Sequence, residues 1–171
     1  QDVVGLEHRG PVHAVLLADG GVVESRAVLV ATGVAYRRLE ASGVDELGSR
    51  GVYYGASASE AAQTAGQVVH VVGAANSAGQ AVLNFAKVAD KVVMLVRGDS
   101  LEASMSEYLI ARITAADNVE VRFRTEVSAA HGTDHLESVT LVDRDTGAEH
   151  DEDTNWLFVF IGALPRTDWL G

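Results

Sequence analysis

The chain has 171 residues, an apolar fraction of 47% and a charged fraction of 22%, enough apolar material for one good core and unlike a disordered chain. Its 24 acidic residues outnumber 13 lysines and arginines, and the resulting net charge of −11 is the reverse of what a phosphate-backbone binder needs, so nucleic acid is excluded as a partner. No run approaches the ~18 consecutive apolar residues of a membrane span. Nothing reads as a targeting or anchoring segment, and a chain without cysteine has no disulfide, Cys₄ zinc site or thiol chemistry of its own.

Between the turn signals Gly10-Pro11 and Asp19-Gly20-Gly21, Val12–Leu17 reads as a short apolar strand. Val22–Ala27 then leads into Val28-Leu29-Val30-Ala31-Thr32-Gly33, a continuous apolar run that stops at glycine, the pattern of a strand buried on both faces. Residues 34–67 are polar and glycine-punctuated and predict a connection between two structural units. Within it Ser57–Gln63 is a candidate short helix, with Ser57 as N-cap and Glu60 in the first turn.

From Gln67 the pattern is regular. Val68–Val72 is a strand ending at Gly73, and Asn76–Val88 a helix, with Ala78, Ala81, Val82, Phe85 and Val88 near a 3.6-residue period. Lys91–Val96 is a second buried strand. Asp99 or Ser100 then caps a helix to about Thr114, with Leu101, Met105, Leu109 and Ile113 on one stripe. Asn118–Arg124 alternates as a half-exposed strand does. This order predicts an α/β fold, a parallel sheet wrapped by helices. A β-meander follows, from strand Leu136–Val142 through the turn Asp143–Gly147 to a short return and a solvated acidic loop at His150–Asp153. Trp156–Ile161 is a last buried strand, ending at Gly162.

The strongest chemical signal is Val71-Val72-Gly73-Ala74-Ala75-Asn76-Ser77-Ala78, set between a strand and a helix where a dinucleotide-binding turn belongs. Gly73 would make the tight turn. Ala74 and Ala75 would let the backbone approach a pyrophosphate, Ala75 standing for the usual second glycine, and Ala78 fits the last position. The helix N-terminus would present N–H groups to phosphate, with a side-chain hydrogen bond from Asn76 or Ser77. At the end of the next strand, NAD-specific folds place an acid for the ribose 2′-hydroxyl. Here Val96 is followed by Arg97, which suits the 2′-phosphate of NADP(H), although Asp99 adds negative charge nearby. His131 and His135, separated by Gly132, and the acidic run 149–153 read as solvated positions, so no metal site is expected; Trp156 and Trp169 read as packing residues.

Leu29–Gly33, Val71–Ala78, Val96-Arg97-Gly98 and Phe158–Thr167, in that order and at those spacings, resemble the thioredoxin reductase-like flavoproteins of the pyridine nucleotide–disulfide oxidoreductase superfamily. The resemblance covers nearly the whole chain. It implies a Rossmann-like NAD(P)H-binding domain at residues 37–165, inserted in a split FAD domain. Residues 1–36 would end that domain's first segment and 166–171 would return toward its second. The N-terminal FAD fingerprint and the C-terminal Gly-Asp motif are absent, so the resemblance implies a fragment of a larger flavoprotein. NADP(H), with NAD(H) as the alternative, would be held by Gly73, Ala74, Ala75, Asn76, Ser77 and Ala78. Arg97 would lie at the 2′-phosphate, and Ile161 and Gly162 near the nucleotide. FAD would sit in the full-length protein and not on this fragment alone, which would be inactive by itself and supply no catalytic side chain. A cytoplasmic, membrane-free homodimer is the implied state of the full-length protein.

Two departures from that family matter. Counting back from Gly73, its redox Cys-x-x-Cys falls on Ala56-Ser57-Ala58-Ser59, with Glu60 where the family has an acid. Without thiols the dithiol relay to thioredoxin cannot run, which leaves a ferredoxin-like protein or a small molecule as acceptor, as in ferredoxin–NADP reductases. Gly98 and Glu102 also replace two of the family's three arginines. A non-catalytic nucleotide-binding sensor or interaction module is the reading from another class.

Overall fold

A computed structural model describes residues 1–56 and 58–170, which fall into two compact units: Gln1–Arg37 together with the residues from Gly162 onward, and Arg38–Ile161. In the smaller unit, β1 (Val3–Arg9), β2 (Val12–Leu17) and β3 (Val22–Ser25) form an antiparallel sheet in that order. The strand expected at 28–33 does not form: no strand there pairs with any described residue, and Leu29 is 92% exposed. A strand buried on both faces needs lateral partners and a covering layer, and the neighbours present give 28–33 neither. Conversely, β1 escaped the sequence reading because Gly5 and His8 break its alternation. After residues 28–33 comes β4 (Val34–Tyr36).

The larger unit begins with β5 (Val52–Tyr54) and α1 (Ala58–Gln63), which has Glu60 in its first turn. Ser57, its expected cap, lies outside the described residues. Then come β6 (Val68–Val72), α2 (Asn76–Phe85), β7 (Lys91–Val96), α3 (Glu107–Thr114) and β8 (Val119–Phe123). A three-stranded antiparallel meander follows, β9 (Thr125–His131), β10 (Ser138–Asp143) and β11 (Glu149–Asp153). The chain returns to the first sheet through β12 (Leu157–Val159). The last strand, β13 (Ala163–Pro165), pairs antiparallel with β4 within the smaller unit.

The main sheet is wholly parallel, in the order β5-β12-β6-β7-β8. Its central strands alternate between two cores, as the period of 2 demands. Val69, Val71, Val92, Met94, Val96 and Phe158 face α2 and α3. Val72, Val93, Leu95, Leu157 and Val159 face the meander through Val127, Val139 and Leu141. Helices therefore cover one face only, and an antiparallel sheet does the work expected of helices on the other.

Three boundaries moved. α2 ends at Phe85, three residues short of the expected Val88, which is 41% exposed. The helix expected from Asp99 or Ser100 starts only at Glu107, with Ser106 as N-cap, although Leu101 and Met105 are buried as their stripe predicted. The acidic loop is strand β11, because Glu152 turns inward to meet His70 and Arg122. Among the described residues no helix is long and apolar enough to cross a membrane.

Candidate functional site

From β6 the chain crosses through α2 to β7 on one side, whereas β12 takes the place on the other. The carboxyl end of β6 is therefore the point where the strand order reverses, the crevice in which open α/β sheets bind ligands. Gly73 stands there. Its amide donates to the Leu95 carbonyl (3.1 Å), and the Phe160 amide donates to the Val72 carbonyl (2.8 Å), which ties the turn to both neighbouring strands.

Only glycine fits at 73. Its φ is +142°, and an added Cβ would lie 2.5 Å from the Phe160 carbonyl oxygen and 3.0 Å from the Ala78 Cβ. Ala78 is fully buried, while Ala75, Asn76 and Ser77 are exposed, so the turn offers backbone outward and packs small side chains inward. Ala75 is extended (φ −96°, ψ 177°) and caps α2 without a side-chain hydrogen bond. The first amides of α2 therefore point out of the helix with no intrahelical acceptor, at the positive end of its dipole. A bare helix N-terminus of this kind, reached through a turn that packs too closely for any side chain at 73, fits a pyrophosphate.

The turn is braced from a direction the sequence did not reveal. Ser104 Oγ donates to the Ala74 carbonyl (2.8 Å), and the Ser106 amide donates to Asn76 Oδ1 (2.7 Å). With Oδ1 held by that amide, the NH₂ of Asn76 is oriented as a donor for a ligand. Met105 between these serines lies against Gly79, where a Cβ would come within 2.8 Å of its sulfur. The signal for Gly79 was an isolated glycine inside a helical pattern.

Arg97 follows the end of β7 and its side chain is 76% exposed. Its Nε lies 3.9 Å from Glu126 Oε1, and Arg144 Nε lies 3.2 Å from the other oxygen of the same carboxylate. Nearby, Arg124 is paired with both Asp99 and Asp145 at 3.2 Å. Ile161 packs against the meander-side core and is the last residue of the larger unit, and Gly162 opens the return to the smaller one. The structure thus brings Gly73 to Ala78 together as one turn and sets Arg97 at the end of the adjacent strand.

Residues 2–171 match the model of the pyridine nucleotide-disulphide oxidoreductase family. Alkyl hydroperoxide reductase F from Staphylococcus aureus is 30% identical over 156 residues, 91% of this chain and 30% of that protein. Thioredoxin reductase from Streptococcus pyogenes superposes with a TM-score of 0.81 at 30% identity, over 97% of this chain and 53% of that one. The enzyme from Giardia duodenalis reaches 0.87 at 23% identity, over 99% and 55%. The chain spans less than a third of the curated relative and about half of each solved structure.

Proposed function

Since the chain belongs to the pyridine nucleotide-disulphide oxidoreductase family, on its thioredoxin reductase-like side, we propose that its larger unit is the NADP(H)-binding portion of an FAD-dependent oxidoreductase. The family uses FAD and a nicotinamide dinucleotide. The observation that carries the reading is the Gly73 cradle at the strand-order reversal, closed to any side chain by the Phe160 carbonyl. The Gly73–Ala78 backbone would hold the pyrophosphate, Arg97 the 2′-phosphate, and Ile161-Gly162 would lie beside the nucleotide. When bound, the coenzyme supplies a hydride to the flavin of the complete enzyme; the residues of this chain bind and orient.

The chain has no cysteine, so no dithiol at 56–59 carries electrons onward. That favours direct transfer from flavin to a ferredoxin-like protein or a small molecule over a thioredoxin relay. The full-length protein, as a cytoplasmic homodimer, is the form in which this would operate. The test is anaerobic addition of NADPH to the full-length protein. Bleaching of the yellow flavin supports the reading. Coenzyme binding without bleaching replaces it with a non-catalytic nucleotide sensor, and no binding removes it.

A further inference from the structure

The cations around the end of β7 are unequally compensated. Arg124 has two carboxylates to itself, Asp99 and Asp145. Arg97 and Arg144 share one, Glu126, and no second acid pairs with either among the described residues. Two guanidinium groups thus converge on a single carboxylate, which leaves one positive charge in excess there, against one negative charge in excess where Arg124 meets Asp99 and Asp145. Arg144 reaches this place from the turn after β10. Its amide donates to the Arg124 carbonyl (2.8 Å) and its Nη1 to the Arg97 carbonyl (3.2 Å), while the Arg124 amide donates to the Gly98 carbonyl (2.9 Å). The hairpin is therefore stitched to the loop that carries Arg97. Glu126 sits on β9 opposite Val142, two residues before Arg144, so one register fixes both side chains.

Resting on the reading of the larger unit as a dinucleotide site, we propose that Arg144 is a second specificity residue for the 2′-phosphate of NADP(H), and that Glu126 is an internal anion which that phosphate displaces. The meander thus supplies a second cation beside Arg97. Glu126 and Arg144 are about half exposed and Arg97 is more exposed still, so the pairs are weak and open readily. A phosphate monoester carries close to two negative charges and accepts from a guanidinium fork more strongly than one carboxylate does. NAD(H) has only a hydroxyl at this place and gains nothing from the exchange.

The test is equilibrium titration of the full-length protein with NADP⁺, NAD⁺ and adenosine 2′,5′-bisphosphate, none of which reduces a flavin. Arg144→Ala should weaken NADP⁺ and the bisphosphate by about tenfold, the scale of one charge-assisted contact, with NAD⁺ unchanged. Arg144→Lys should restore part of the loss. Glu126→Gln should tighten both phosphate-bearing ligands and leave NAD⁺ alone. Unchanged NAD⁺ affinity shows that the variants still fold. If Arg97→Ala weakens NADP⁺ but Arg144→Ala does not, or if Arg144→Ala weakens NAD⁺ equally, the assignment of Arg144 fails while the dinucleotide site stands. If the unaltered protein binds none of the three, the site itself fails and this assignment with it.

Discussion

His70 on β6 and Glu152 on β11 meet between the two sheets of the larger unit, Nε2 to Oε2 at 3.0 Å, with the imidazole only 1% exposed. The carboxylate can only accept, so Nε2 carries the proton and Nδ1 is bare. Nδ1 is buried and has no hydrogen-bond partner among the described residues. A second proton would have to go there, without an acceptor. Burial accordingly pushes the imidazole below its ordinary value, even though Glu152 pulls the other way.

Stability should therefore fall on the acid side in two stages. With a folded-state value below the unfolded 6.5, His70 lets the unfolded chain bind more protons, so its contribution is full above pH 6.5 and is lost as pH falls from there. Burial alone would raise Glu152, but hydrogen bonds from His70 and Arg122 outweigh it and hold it at about 2; Arg122 and Lys91 hold Glu120 at about 2. Their contribution is lost between the ordinary carboxylate range and pH 2. Thermal melts from pH 8 to pH 3 check this, and His70→Gln should flatten the first stage only. A melting temperature that rises between pH 7 and pH 5.5 would contradict the neutral imidazole.

Gly73→Ala should cost more than about 2 kcal/mol, from left-handed backbone strain and overlap with backbone that has nowhere to move. It should also abolish coenzyme binding. Gly10→Ala is the control: its φ is +63°, yet nothing lies within 4 Å of the added Cβ, so only about 1 kcal/mol of backbone strain applies. Urea denaturation of both variants, with coenzyme titration, separates steric from conformational cost.

At Gly79 the opposing effects are closer. Alanine gains about 1 kcal/mol of helix propensity, but its Cβ would come within 2.9 Å of two atoms of Met105, which is itself buried. Overpacking costs about 1–3 kcal/mol, so a net loss near 1 kcal/mol is expected. Because Met105 lies between the two serines that brace the turn, coenzyme affinity should fall as well. A more stable variant with unchanged affinity would show that the segment moves freely.

Phe158 is fully buried and packs on Phe85 with ring centroids 4.3 Å apart, at the centre of the helix-side core. Phe158→Ala should destabilise the larger unit by about 3–5 kcal/mol. Tryptophan fluorescence during denaturation reports it, since Trp156 stacks on the same ring at 6.1 Å.

What the sequence determined by itself was local chemistry. The apolar runs of β6 and β7, the 3.6-residue spacing of α2 and the glycine at 73 needed only near neighbours to declare themselves, and with them came the parallel sheet and the turn at its centre. The stripe Leu101, Met105, Leu109 and Ile113 was legible as buried, although its first half is a turn and not a helix, because burial follows the pattern while the helix starts only where the extended backbone at Ser106 ends.

Tertiary structure decided whatever depends on residues far apart in the chain. Val28–Gly33 reads as a buried strand, but burial is a property of neighbours, and those present leave Leu29 in solvent. Glu149–Asp153 reads as a solvated loop until β10 offers a register and His70 and Arg122 offer charge. Arg144 and Arg97 stand 47 positions apart, and only the folding of the meander onto the loop after β7 puts their guanidinium groups on one carboxylate. Charges act through space, and spacing along the sequence does not encode that distance.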